Sequence, residues 1–99
     1  MTDTPQRGYT HNKADFAKRL NRIEGQVRGI RRMIDEDTYC IDVLTQVSAA
    51  TKALQAVAVA LLDEHVRHCV KNAVADGDEA TLDAMIAEAT KAIERLVKA

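Results

Sequence analysis

The most informative residues in this chain of 99 are Cys40, His65 and Cys69, whose thiol and imidazole side chains can bind soft metal ions. His65 and Cys69 are four positions apart, so on an α-helix both side chains point the same way and could hold one ion. Cys40 is the other thiol, and it lies 25 positions before His65. No Gly or Pro interrupts the sequence between them.

The separation of Cys40 from His65 along the chain decides whether one chain could form the site alone. If the stretch is one helix, a rise of about 1.5 Å per residue places Cys40 roughly 38 Å from His65. One chain could not then bring the three side chains together, whereas a second chain lying antiparallel could supply the missing thiol. The spacing therefore predicts a metal site shared between two chains, and with it a dimer.

The ligand types narrow the choice of metal. Two thiolates and one imidazole form a soft set that suits Cu(I) in trigonal geometry. Zn(II) usually takes four ligands and would need a further one from His68, Glu64 or water. Ca(II) and Mg(II) prefer oxygen ligands and are excluded. From spacing alone the metal stays open between Cu(I) and Zn(II).

Other interpretations of the same residues also stay open. Cys40 of one chain could form a disulfide or polysulfide bridge with Cys69 of another, with His65 as a neighbour that activates a thiol. A His or Cys on an apolar helix face is often an ordinary interface residue. An enzyme is disfavoured, because no motif orients a nucleophile and the chain offers little bulk for a substrate pocket.

Apolar periodicity predicts an all-α chain of three helices and no strand. The helices are expected from about Lys13 to Asp35, Tyr39 to Ala75 and Glu79 to Lys98. Each places apolar residues at alternating four- and three-residue steps, as in helices that pack along one another. The middle helix would be about 55 Å long, too long to be shielded by a small monomer.

Length and composition predict the domain organisation and the compartment. We expect a flexible arm over residues 1–10 and a single helical domain over residues 11–99. No apolar run looks long enough to span a membrane, and the N-terminus lacks the apolar core of a signal peptide. A cytoplasmic location is therefore expected, where thiols remain reduced.

A net charge of −1 conceals an uneven charge distribution. Residues 1–32 carry eight Lys or Arg and three Asp or Glu, whereas residues 33–99 carry six and twelve. Lys18 and Arg22 share a helix face with Gly25 and Gly29, which favours close approach by another helix or a nucleic-acid backbone. The pattern predicts DNA binding through phosphate contacts, without a helix-turn-helix.

The blocks RIEGQVRGI, YCIDVLTQVSA and HVRHC together resemble the copper-sensitive operon repressor family, and the resemblance covers about residues 9–98. It implies all-α repressors that assemble as a disc-like D2 tetramer, a dimer of dimers. It further implies that Cys40 of one protomer joins His65 and Cys69 of its partner around Cu(I). Operator DNA would be bound by the apo-protein and released on Cu(I) binding.

The branches of that family differ at the ligand positions. Nickel and cobalt sensors carry His where this chain has Cys69, together with an N-terminal His, a position that falls near Gly8 here. Sulfur sensors keep both Cys and lack the His at the position of His65. The resemblance therefore points to the copper-sensing branch. A persulfide- or redox-sensing repressor of the same fold, and a copper-storage or chaperone bundle without DNA binding, are the alternatives.

The resemblance also suggests residues outside the ligand set. Tyr39 matches a family Tyr beside the first Cys. Copper-sensing members use a third-helix Glu that is hydrogen-bonded toward the His; the matching positions here are Ala84 and Ala87, with Glu88 adjacent. The residues expected to contact DNA are Arg19 and Arg22, with weaker matches at Lys18 and Lys52.

Overall fold

The structure, a computed structural model, describes residues 7–98, and that part of the chain is helical with no strand. A 3₁₀ turn at Thr10–Asn12 is followed by α1 (Lys13–Asp35), α2 (Cys40–Asp76) and α3 (Glu79–Lys98). The predicted all-α protomer with a long central helix is confirmed. Its predicted helix bounds agree with the observed ones to within one residue.

The end of α2 is closed by a glycine in the left-handed region. Gly77 has a φ of 68°, and its N–H donates to the carbonyl of Val74 at 3.2 Å. The N–H of Asp78 donates to the carbonyl of Ala73 at 3.2 Å, which completes a Schellman motif. Asp37, with a φ of 55°, ends α1 in the same way. These two backbone reversals define where the long helix begins and ends.

Asp78 also starts the next helix. Its carboxylate accepts hydrogen bonds from the hydroxyl of Thr81 and, at 3.1 Å, from the backbone N–H of Thr81. These bonds to the charged form hold the pKa of Asp78 below its ordinary value of 3.8. An N-cap of this kind satisfies a backbone donor that the first turn of α3 would otherwise leave free.

Residues 7–98 form two compact units, and each has its own small core. The unit of residues 13–57 buries Phe16, Ile23, Ala50 and Val57. The other unit combines residues 7–12 with residues 58–98, and it includes the buried Ala73 and Ala89. The predicted arm lies mostly outside the described residues, and the single domain over 11–99 stays a prediction.

The apolar stripe of α1 is only half buried. Phe16 and Ile23, seven residues apart, are buried, whereas Leu20, Val27 and Ile34 are 45%, 52% and 61% exposed. The exposed three are also spaced by seven residues, the repeat of helices that pack along a partner helix. The described chain therefore presents a regular apolar stripe that its own residues leave uncovered.

The two other helices also expose large apolar side chains. They include Ile41, Leu44, Val47, Leu54, Val59 and Val74 on α2, and Ile86, Ile93 and Val97 on α3. By length and composition alone α2 could cross a membrane, so the expectation that no apolar run is long enough does not hold for it. Only 11% of its most apolar window is buried. This apolar surface is what a helical partner would cover.

Candidate metal centre and basic face

The predicted ligand pair, His65 and Cys69, lies on successive turns of α2. The Cys69 Sγ lies 3.7 Å from the His65 Nε2 and 4.0 Å from its Nδ1. For metal bonds of about 2.3 Å to sulfur and about 2.0 Å to nitrogen, separations of 3.7 Å and 4.0 Å correspond to angles of about 120° and about 135° at an ion. The pair as folded thus fits two corners of a three-coordinate soft-metal site.

Cys40 is exposed and is the first residue of α2. His65 lies 25 positions, or about seven turns, further along the same uninterrupted helix. Both cysteines are free thiols. Within residues 7–98 of one protomer, no three His, Cys, Asp or Glu side chains are grouped closely enough to hold a metal ion. The helix therefore keeps the three soft ligands from meeting within one chain.

A carboxylate from α3 approaches the ligand pair. The Glu88 Oε1 lies 3.9 Å from the His65 Nε2, which is within ion-pair reach but longer than a hydrogen bond. Ala84 and Ala87, the other matching positions, have no polar side-chain atom to offer. Of these three positions, Glu88 is therefore the one that can act on the histidine ring.

The ligand pair faces an apolar cavity. His65 and Cys69 line a space of about 230 Å³ together with α3 residues that include Met85 and Ile86. Val66 of α2 also lines it. An apolar lining of this kind would limit access of water to an ion held by His65 and Cys69.

Tyr39 precedes the helix that carries the ligands. Its side chain is 69% exposed, and its carbonyl accepts the N–H groups of Asp42 at 3.0 Å and Val43 at 3.2 Å. Tyr39 thus closes the start of α2 through its backbone. The expected contact of the Tyr39 phenol with the metal site beside Cys40 stays a prediction.

A contact that the sequence did not predict joins the N-terminal residues to α2. The Asn12 Nδ2 donates to the Glu64 Oε1 at 2.9 Å, and the His11 Nε2 lies 3.5 Å from the Glu64 Oε2. Glu64 was considered above as a ligand for Zn(II), but both its oxygens face these residues. His68, the other candidate, has its Nε2 3.3 Å from the Asn72 Nδ2.

The basic side chains of α1 make few contacts with other described residues of the chain. Lys18 and Arg22 are exposed, whereas Arg19 is half-buried with its guanidinium 5.8 Å from the centre of the Phe16 ring. None of these three cations forms an ion pair with the residues that the structure describes. The cation–π contact gives the Arg19 side chain a preferred direction. The face is therefore free to contact phosphates.

The glycines on this face have open surroundings. A Cβ added to Gly25 or Gly29 would meet nothing within 4 Å. The predicted close approach at these glycines thus involves no described part of the same protomer. It stays a prediction for another molecule, as does DNA contact by Lys52, which is exposed on α2.

The three-helix fold, the predicted soft ligand pair on α2 and the exposed basic side chains on α1 are together typical of metal-responsive DNA-binding proteins. Residues 12–95 match the sequence profile of the metal-sensitive transcriptional repressors. The chain belongs to this family, whose members are transcriptional repressors and not enzymes. The resemblance described above is thereby confirmed.

Individual relatives narrow the comparison further. The chain is 61% identical over 95 residues to the copper-sensing transcriptional repressor RicR of Mycobacterium tuberculosis, covering 96% of this chain and 98% of that protein. It is 50% identical over 66 residues to the copper-sensing repressor CsoR of Bacillus subtilis, covering 67% of this chain and 65% of that one.

Solved structures agree with the fold. The chain is similar to the copper-sensing repressor CsoR with Cu(I) from Geobacillus thermodenitrificans, with a TM-score of 0.78 and 36% identity over 97% of this chain and 95% of that one. It is also similar to the nickel-responsive transcriptional regulator InrS, with a TM-score of 0.73 and 37% identity. That match covers 84% of this chain and 90% of the InrS chain.

Proposed function

We propose that this chain is a Cu(I)-responsive transcriptional repressor, which binds operator DNA in the apo form and is released when Cu(I) binds. The observation that carries the proposal is the position of the Cys69 Sγ on one face of α2, 3.7 Å from the Nε2 and 4.0 Å from the Nδ1 of His65. Two thiolates and one imidazole suit Cu(I) better than nickel, which favours harder nitrogen and oxygen donors. The relatives described as copper-sensing support the same choice.

The ligand set is completed between chains. Cys40 of one protomer joins His65 and Cys69 of its partner, because α2 separates these residues by about seven turns within one protomer. Glu88 then orients the His65 ring from α3 by facing its Nε2, which leaves the Nδ1, 4.0 Å from the Cys69 Sγ, to bind the ion. Tyr39 lies beside the first Cys. Such outer contacts fix the tautomer and direction of a ligating histidine.

The exposed apolar stripes supply the surface for this assembly. Leu20, Val27 and Ile34 repeat every seven residues on α1, and apolar side chains on α2 and α3 are exposed as well. Antiparallel pairing of two protomers would bury these side chains and bring Cys40 to the other chain's ligand pair. Two such dimers form the proposed D2 tetramer, located in the cytoplasm with operator DNA as its partner.

The mechanism is a negative coupling between two ligands of one assembly. Cys40 of one chain, with His65 and Cys69 of another, would hold Cu(I), and the bound ion would thereby link the two chains. Lys18, Arg19 and Arg22 of α1, with Lys52 of α2, hold DNA phosphates in the arrangement that the apo-protein favours. Because binding free energies are linked, Cu(I) weakens DNA binding by the same factor as DNA weakens Cu(I) binding.

A titration of the DNA complex tests this function. A labelled duplex is selected from a random pool by the apo-protein, and its dissociation constant is measured with and without one Cu(I) per protomer. We expect Cu(I) to raise the constant by about 100-fold, near the upper part of the usual coupling range. Release by a persulfide donor but not by Cu(I) would instead identify the sulfur-sensing alternative. Cu(I) binding without any DNA binding would identify a storage or chaperone bundle.

A further inference from the structure

The N-terminal residues lie directly against the backbone that carries His65. Gly8 is buried, and a Cβ added to it would collide with the carbonyl oxygen of Glu64. The same Cβ would lie 2.6 Å from the carbonyl carbon of Glu64 and 3.0 Å from the Cα of His65. Only a residue without a side chain allows so close a contact between two backbones.

Side-chain contacts from His11 and Asn12 to Glu64 reinforce this backbone contact. The Asn12 Nδ2 donates to the Glu64 Oε1 at 2.9 Å, and the His11 Nε2 is 3.5 Å from the other carboxylate oxygen. The Glu64 side chain is only 23% exposed, whereas Asp63 beside it is 57% exposed and Glu88 is 71% exposed. Burial makes the Glu64 contact stronger and less screened than a surface pair.

The N-terminal residues that make these contacts are themselves held together. The N–H of Arg7 donates to the Thr10 Oγ1 at 2.8 Å, and the N–H of Thr10 donates to the carbonyl of Arg7 at 3.0 Å. The N–H of Asn12 donates to the carbonyl of Tyr9 at 2.9 Å. Residues 8 and 12 therefore belong to one braced turn, so that both contacts with Glu64 move together.

We propose that this clasp, the Gly8 and Asn12 contacts with Glu64, passes the state of the metal ligands to α1, with Glu64 as the positioning residue. Glu64 directly precedes His65, so a shift of α2 at the ligand moves the carboxylate. Asn12 directly precedes Lys13, the first residue of α1, so the chain itself passes that shift to the basic helix. The proposal rests on the proposed function, because it concerns how Cu(I) binding reaches the DNA-contacting side chains.

A charge exchange across the clasp provides the test. Asn12→Asp places a carboxylate against the Glu64 carboxylate and breaks the clasp. Combining Asn12→Asp with Glu64→Gln restores the hydrogen bond with its direction reversed, because the amide donor now lies on α2 and the carboxylate acceptor at position 12. Asp63→Asn is the matched control, because Asp63 pairs only with Arg67, at 3.0 Å, among the described residues. For each protein, the dissociation constant of the selected duplex is measured with and without Cu(I).

We expect Asn12→Asp to lower the Cu(I)-induced change in DNA affinity by about tenfold, within the range of typical coupling factors. The apo affinity and the Cu(I) stoichiometry should stay near those of the wild type. The double variant should regain the coupling, and Asp63→Asn should keep it. Amide hydrogen exchange over residues 7–12 of the apo-proteins should rise in Asn12→Asp and fall again in the double variant.

Two results would overturn the inference. One is full coupling in Asn12→Asp despite faster amide exchange, and the other is an equal loss of DNA affinity in the apo and Cu(I) states, which indicates simple charge repulsion from DNA. The wild-type titration is read first. If Cu(I) releases no DNA from the wild type, the proposed function itself fails, and that outcome is distinct from a failure of the clasp.

Discussion

Replacing Cys69 by Ala should abolish the release of DNA by Cu(I), with less than about a twofold change in DNA affinity where the wild type changes by about 100-fold. The substitution removes the thiol that α2 holds within 4.0 Å of both ring nitrogens of His65. Cys69 is only half-buried, so replacing it leaves a small defect in packing. The apo-protein should therefore keep its fold and its DNA affinity.

A neighbouring histidine offers the control for this substitution. His68 lies next to Cys69, and its ring contacts Asn72 at 3.3 Å rather than the ligand pair. His68→Ala should release DNA on Cu(I) addition as the wild type does. Normal Cu(I)-driven release from Cys69→Ala, measured by fluorescence anisotropy under anaerobic conditions, would show that Cys69 is not a ligand and would remove the basis of the mechanism.

The second large effect is expected on the basic face. Replacing Arg19 and Arg22 together by Ala should weaken binding of the selected duplex by about 10²–10³-fold at physiological salt, because every protomer in the assembly carries both substitutions. Arg19 is held over the Phe16 ring, so its charge is directed before DNA arrives. Fewer counterions should then be released on binding, and the plot of log K against log salt should become less steep by about one for each phosphate that is no longer neutralised.

The matched control lies on the same helix. Arg28 is exposed and already pairs with Glu24 at 3.4 Å, so Arg28→Ala should change DNA affinity far less. Cu(I) binding should be unchanged in both proteins, since neither alters the ligand pair. A double variant at Arg19 and Arg22 that kept the wild-type salt dependence would show that α1 does not contact the phosphates.

Local sequence signals account for the agreement in helix bounds. Asp37 and Gly77 adopt positive φ angles directly after α1 and α2 and so end these helices. The apolar periodicity identified the helices themselves. The His65 and Cys69 pair was likewise predictable, since four residues span about one turn. Each of these features depends on residues close together in the chain.

Features that depend on distant residues were not predictable in this way. Asn12 and Glu64 are 52 positions apart, and an amide facing a carboxylate leaves no periodic pattern. The burial of Gly8 against α2 similarly has no sequence signal beyond a glycine in an expected arm. The choice of Glu88 required the α2–α3 turn, since a one-residue change there rotates α3 by about 100°.

The apolar stripes show a further limit of periodicity. The four- and three-residue steps on α1 predicted a packed stripe, yet Phe16 and Ile23 are buried while Leu20 and Val27 are exposed. A periodic pattern of apolar residues indicates that one helix face is buried. It does not indicate whether the face packs against the same chain or against another chain. That distinction is physical, because both ways of covering the face remove the same apolar area from water.

The central claim is that each metal site takes ligands from two chains, and mixing two defective variants tests it most directly. Cys40→Ala and Cys69→Ala are refolded together in equal amounts, and Cu(I) bound in the presence of a competing chelator is counted. Each variant alone should bind almost none. In mixed dimers one of the two symmetric sites regains all three ligands, so the mixture should recover about a quarter of the wild-type sites. Recovery of none, with mixed dimers shown to be present, would contradict a site shared between chains.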